Sequence, residues 1–107
     1  MDTLEKIRTL ARAGRIVVSV HGYDELAADD IFVDDALRGL NGAELVEDYP
    51  QAAKGPSVLV LQHDADNKPI HAVWGIPSGA EAPAVLVTAY RPDPARWLPG
   101  FKERRRS

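Results

Sequence analysis

Two histidines and a few charged side chains are the residues of this sequence best suited to chemistry at neutral pH. His21 and Glu25 stand four apart, so on a helix they share one face, where the carboxylate would orient the imidazole. His71 lies in a later apolar segment, and Tyr90 and Arg91 lie in the next one. Metal-free cleavage of a phosphodiester needs a base, an acid and cations near the phosphate.

We therefore take His21, Glu25, His71 and Arg91 as the candidate catalytic set, with Arg91 or Lys68 as the phosphate stabiliser. A structural interpretation stays open for most of them. His21 can be a helix-start residue bonded to the backbone, and His71 a buried histidine bonded to a strand neighbour. Arg91 can be a surface charge at the end of a strand.

Cationic and aromatic residues near the end of the chain are candidates for contact with a polyanion. The candidate RNA-binding residues are Lys68, Tyr90, Arg96, Arg104 and Arg105. In the alternative interpretation Tyr90 is a core residue with a bonded hydroxyl, and the KERRR run is a solvated tail. We expect Trp74 and Trp97 to be packing residues.

A zinc site would have to use His21, Glu25, His63 and His71, because the sequence contains no cysteine. Three scattered histidines match no recognised metal-site pattern, and the glycine-rich phosphate-binding motifs are absent. We therefore predict neither a metal nor a cofactor.

Charge is unevenly distributed along the chain, although the net charge is only −3. Residues 24–48 contain nine acids and one base, Arg38, whereas residues 91–107 contain six bases and two acids. The basic end can contact a polyanion or be a solvated tail, and the acidic part can be a docking surface for a basic partner.

Length and composition indicate one domain spanning residues 1–107, with a flexible basic tail at 102–107. The longest apolar run, Val58 to Leu61, is far shorter than the roughly 20 residues of a transmembrane helix. The first residues lack the pattern of a signal peptide. With no cysteine, these features predict a cytoplasmic protein with no membrane association.

Helical patterns dominate the first forty residues. Leu4, Ile7 and Leu10 have helical spacing, with Asp2 or Thr3 as a cap and Gly14 as the left-handed residue after the end. Further helices are predicted at 21–28 and 33–40. Phe32 stands where a Ser or Thr cap is expected, so the third helix is weakly capped.

Strand patterns cover 15–20, 44–49, 57–63, 69–76 and 84–91, and the last three are joined by short loops. Short loops favour antiparallel neighbours. We predict an α+β fold in which N-terminal helices pack on one face of a mainly antiparallel sheet of four to five strands.

These segments, taken in order, resemble the bacterial domain-of-unknown-function family 4258. The similarity extends from about Ile7 to Arg105 and is carried by RIVVSVHGYDELAADDI, VDDAL, VEDYP, KGPSVLVLQHD, PIHAVWG and VTAYRPDPARW. His21, Ile31, His71, Tyr90, Pro92 and Trp97 match family positions. The family commonly has a basic residue where this chain has Gly-Tyr-Asp-Glu-Leu after His21, and a Ser or Thr cap in place of Phe32.

The resemblance implies a small toxin of a toxin–antitoxin pair, with a fold similar to the RelE-type and MqsR-type ribonucleases. Its implied partners are a cognate antitoxin of the zinc-finger type and RNA or the ribosome. The resulting hypothesis is a metal-independent endoribonuclease. The alternative is a non-catalytic interaction module, which the acidic charge and the missing base favour, with a sheet edge that accepts a partner strand.

Overall fold

The computed structural model describes residues 1–106, which form three α-helices and one five-stranded sheet. The helices are α1 (Thr3–Arg12), α2 (Val20–Ala28) and α3 (Val33–Gly39), followed by a 3₁₀ turn at Leu40–Gly42. The strands are β1 (Ile16–Val18), β2 (Glu44–Tyr49), β3 (Ser57–His63), β4 (Pro69–Gly75) and β5 (Ala84–Tyr90). The predicted α+β class is confirmed.

The ends of α1 follow local capping rules. The Asp2 side chain accepts a hydrogen bond from the Glu5 amide at 2.8 Å, and Gly14 has a φ of +72° after the last turn. Phe32 precedes α3 and makes no side-chain capping bond, which confirms the predicted weak cap. Its side chain is 76% exposed.

The sheet has the strand order β1-β5-β4-β3-β2. The pairs β2–β3, β3–β4 and β4–β5 are antiparallel, as predicted. β1 pairs parallel with β5, with Ile16 opposite Ala84, and the sheet is therefore mixed. The RelE-like part of the expectation stays a prediction.

The helices pack on one face of the sheet. This face carries the core, which contains Leu4 and Ile7 of α1, Leu26 of α2 and Trp74 of β4 among its fully or nearly fully buried residues. Trp74 is a packing residue as predicted, and its indole nitrogen donates to the buried Gln62 amide oxygen at 3.2 Å. We call the opposite face of the sheet the open face, because none of the helices in residues 1–106 covers it.

A row of paired residues crosses the open face from one edge of the sheet to the other: Tyr49, Ser57, Gly75, Val85 and Val17. Directly paired residues share one face of a sheet. Ser57 and Gly75, in the middle of the row, are small, whereas the residues at both ends have larger side chains that project further from the sheet. The open face is therefore concave at this row.

The loop between β2 and β3 is held against the chain that follows β4. The Ser78 amide donates to the Lys54 carbonyl at 2.9 Å, and the Ile76 amide donates to the Pro56 carbonyl at 3.0 Å. Gly55 between them has a φ of +127°, and a Cβ atom there would overlap with the Ile76 carbonyl oxygen. Only glycine fits this close approach.

We expect Gly55→Ala to lower the free energy of unfolding by about 1–3 kcal/mol, since it adds both backbone strain and a clash. Chemical denaturation measures the change. Gly42→Ala is the matched control, because a Cβ at Gly42 meets no atom within 4 Å. Equal stability of the two variants would contradict the packing described here.

Candidate functional site

Ser19 fixes the start of α2 against β5. Its hydroxyl accepts a hydrogen bond from the Gly22 amide at 2.9 Å and donates to the Val87 carbonyl at 3.0 Å. Its own amide donates to the Leu86 carbonyl at 3.0 Å. Gly22 is buried, and a Cβ there would lie 2.8 Å from the Leu86 oxygen. These contacts hold His21, in the first turn of α2, beside the open face.

His21 and Glu25 lie on one side of α2, as the four-residue spacing predicts. The His21 Nε2 atom is 3.7 Å from Glu25 Oε1, and the two side chains are 65% and 40% exposed. A pair so exposed contributes little to stability. The pair is, however, accessible to a ligand, and the Glu25 carboxylate can orient the His21 imidazole.

His21 borders a cavity of about 370 Å³ on the open face, which we call the trough. Its lining consists of Ser19, His21, Lys54, Ser57, Gly75, Ile76, Pro77, Val85 and Val87. The trough thus combines an apolar floor and wall with two hydroxyl groups, one imidazole and one ammonium group. Such a site suits a ligand that carries both an apolar ring and an anionic group.

Sequence reasoning missed Lys54, which stands in the loop after β2 and was assigned no role. Its main chain is fixed by the Ser78 amide, and Gly55 next to it permits the close loop packing. The one sequence signal at this position is the Lys-Gly-Pro order just before a predicted strand. This order predicts a turn, but it does not indicate which residues the lysine side chain will contact.

His71 is placed very differently from His21, because it is completely buried. Its Nε2 atom lies 2.7 Å from the Phe101 carbonyl oxygen, so Nε2 carries the proton, and Nδ1 has no hydrogen-bond partner among the described residues. The rings of Trp97 and Tyr90 pack edge-on against it at 4.4 and 5.5 Å. Burial is the main cause that lowers the pKa of His71, which keeps the ring neutral.

The segment after β5 folds back over His71. Trp97 is 4% exposed, and Arg104 lies over its ring at 4.6 Å while pairing with both carboxylate oxygens of Glu47 at 2.8 and 3.3 Å. The Arg104 hydrogen bond is the main cause that lowers the pKa of Glu47. Trp97 is therefore a packing residue, as predicted.

The basic end of the chain makes further contacts that the expectation of a flexible tail did not include. Lys102 pairs with Glu44 at 2.6 Å, and the Arg105 amide donates to the Arg96 carbonyl at 2.8 Å. Residues 102–105 are thus held against the sheet and the preceding loop, because acids of β2 face their bases. Ser107 lies outside the described residues.

Arg91 is not free to meet a phosphate near His21. Its guanidinium pairs with Asp64 at 2.7 Å and donates to the Pro69 carbonyl at 3.2 Å, while its amide donates to Asp29 at 2.8 Å. These contacts join β5 to the loop between β3 and β4 and to the end of α2. Arg91 therefore has a structural role in the fold.

The remaining candidate RNA-binding residues are scattered. Lys68 is exposed in the loop between β3 and β4. Arg96 is 83% exposed, 4.0 Å from Asp93, and the Arg105 side chain donates to the Pro94 carbonyl at 2.8 Å. These residues form no common surface with the trough.

The structure therefore brings together only half of the predicted catalytic set. His71 pairs with Tyr90 on the neighbouring strand, whereas His21 borders the trough together with Val85 and Val87 of β5. Three to five residues along β5 correspond to about 10–16 Å. His21 and Glu25 form one pair at the trough, and His71 and Arg91 lie elsewhere.

Within residues 1–106, no group of three or more histidine and acidic side chains is arranged to hold a metal ion. None of the helices in this range has the length and apolar character needed to cross a bilayer.

The profile of one protein family, the Domain of unknown function (DUF4258), matches residues 18–91 of the chain. This range is more than half of the sequence, and the chain belongs to that family. It includes the trough residues and His71, and it ends before the segment that covers His71. Comparisons with curated proteins and with solved structures gave no match.

The buried state of His71 predicts how stability depends on pH. An unfolded histidine titrates near 6.5, whereas the pKa of folded His71 is lower. The unfolded state therefore binds more protons below pH 6.5, and the free energy of unfolding falls as the pH decreases from 6.5. The pKa values of the Glu44, Glu47 and Asp64 carboxyls are also lowered, and these groups affect the free energy of unfolding only at lower pH, where carboxyls titrate.

Denaturation between pH 5 and 7 should thus show a steeper loss of stability for the wild type than for His71→Gln. Glutamine can still donate to the Phe101 carbonyl but does not titrate. Parallel pH profiles for the two proteins would contradict a buried, neutral His71.

Proposed function

We propose that this protein is the toxin-like component of a bacterial toxin–antitoxin pair and a metal-independent, cytoplasmic endoribonuclease that acts at the trough. The observation that carries the proposal is the exposed His21–Glu25 pair beside a cavity that also contains Lys54. The family is described as one of unknown function, and the RNA-directed activity takes its support from the resemblance of the sequence to small toxins.

In this scheme His21 is the general base. It takes the proton of a ribose 2′-hydroxyl, and the 2′-oxygen attacks the adjacent phosphorus while the bond to the 5′-oxygen breaks. The leaving 5′-oxygen takes its proton from water. Glu25 stabilises the imidazolium that forms, and Lys54 neutralises the charge that builds on the phosphate.

The other members of the predicted set have positioning roles in this scheme. His71 holds the C-terminal segment through Phe101, and Arg91 holds the loop between β3 and β4 through Asp64. The proposed partners are RNA, free or on the ribosome, and a cognate antitoxin of the zinc-finger type.

A non-catalytic interaction module is the second candidate, and one observation favours it. The acidic helical part of the chain exposes two aromatic side chains, Tyr23 at 52% and Phe32 at 76%. Acids at Asp24, Asp34 and Asp35 accompany them. Such a surface suits a basic, partly apolar partner. A gene without an antitoxin-like neighbour would favour this candidate.

The roles assigned to the histidines predict a clear difference between two variants. His21→Ala should reduce RNA cleavage at least about 100-fold and relieve any growth arrest on expression, because the general base is lost. His63→Ala removes another exposed histidine, at the far end of β3, and should leave both readouts unchanged.

Cleavage of a mixed RNA substrate is measured with purified protein, with and without ribosomes, alongside the growth assay. The proposal is overturned if wild-type expression does not slow growth and the protein leaves RNA intact under both conditions. Equal activity of His21→Ala and the wild type would remove His21 from the mechanism.

A further inference from the structure

Tyr49 is an exposed aromatic residue on the open face, at the opposite end of the paired row from Val85 and Val17. It pairs with Ser57 in the row that crosses the open face, one strand away from the floor formed by Ser57 and Gly75. Neighbouring strands are about 5 Å apart, so the Tyr49 backbone is one strand away from Ser57, which lines the trough. Tyr49 is 39% exposed, so part of its ring is accessible to a ligand.

The Tyr49 ring is held in one orientation by charged neighbours. Its hydroxyl donates to Glu47 Oε1 at 2.6 Å, and Glu47 is itself fixed by the two bonds from Arg104. Burial and Glu47 raise the pKa of Tyr49, so the phenol stays neutral. A ring fixed in this way loses little conformational freedom when a ligand binds to it.

The two sides of the trough differ in chemistry. The Val85 side is aliphatic and continues to Val87 and Val17, which are 37% and 49% exposed. Beyond Ser57 on the other side, β2 presents the aromatic ring of Tyr49, and Lys54 of the trough comes from the loop that follows Tyr49 directly. A planar ring and a cation within a few residues match a nucleobase and its phosphate.

We propose that Tyr49 stacks against a nucleobase of single-stranded RNA, while Lys54 contacts the phosphate beside it. The inference rests on the proposed function and specifies its substrate class as unpaired RNA. Stacking needs a base whose face is free, and base pairing within a helix removes that face. Tyr49 is a binding residue in this proposal and has no part in bond cleavage.

Binding of a short RNA with 2′-O-methyl sugars tests the proposal, because this RNA lacks the 2′-hydroxyl and cannot be cleaved by the scheme above. Fluorescence anisotropy compares the single strand with its duplex. We expect the single strand to bind more tightly, and Tyr49→Ala to weaken its binding by about 5- to 150-fold.

Three further variants separate stacking from other effects. Tyr49→Phe keeps the ring and should bind within about threefold of the wild type, whereas Tyr49→Leu keeps only apolar bulk and should bind as poorly as Tyr49→Ala. Tyr23→Ala removes an exposed tyrosine of α2 and should have no effect. Circular dichroism and thermal unfolding confirm that each variant is folded.

The outcomes distinguish this inference from the nuclease proposal. Wild-type affinity of Tyr49→Leu, or equal binding of single strand and duplex, overturns the inference even if the protein cleaves RNA. The expected binding pattern without any cleavage of unmodified RNA overturns the nuclease proposal alone. If no RNA binds and Tyr49→Leu instead weakens binding to the neighbouring gene's product, the open face is a protein interface and the inference is overturned.

Discussion

The sheet has two faces, and the helices of residues 1–106 form a single layer that covers one of them. The other features of the molecule depend on this constraint. Helices α1 to α3 bury the face that contains Trp74 and Val60. The opposite face also carries buried residues, such as Leu59 and His71. These residues need a cover, because burial of apolar surface is the main force that stabilises a small domain.

The C-terminal segment supplies that cover for half of the open face. Trp97 and the Phe101 carbonyl lie over His71, and the pairs of Arg104 with Glu47 and of Lys102 with Glu44 fix the segment to β2. The ion pairs are partly exposed and contribute little by themselves. Burial of the Trp97 ring, which is 4% exposed, adds apolar stabilisation to these contacts. The uncovered half, with Ser57 and Gly75 at its centre, is the trough.

Much of the fold could be predicted because its signals are local. The bounds of β2 and β3 agree with the predicted 44–49 and 57–63, since alternation of residues and flanking turns define them. The caps of α1 at Asp2 and Gly14 were predicted for the same reason. The pairing of His21 with Glu25 follows from helical geometry alone.

The rest of the candidate site depends on contacts between distant segments. Burial of His71 depends on a segment thirty residues later that folds back over it, and no local pattern near His71 indicates this. The pairing of Tyr49 with Ser57 depends on strand register, which sequence patterns alone did not define here. Arg91 was predicted to meet a phosphate because it is a cation near candidate catalytic residues, and no local pattern indicates that it pairs with Asp64 in the distant β3–β4 loop.

The central claim is that the open face, and not the acidic helical surface, receives the ligand. A nuclear magnetic resonance titration of the labelled protein with an uncleavable single-stranded RNA tests this claim most directly. We predict that the amide signals of Lys54, Ser57, Gly75 and Val85 shift together and saturably. Shifts confined to α2 and α3 around Asp24 and Asp34, or no shifts at all, would contradict it.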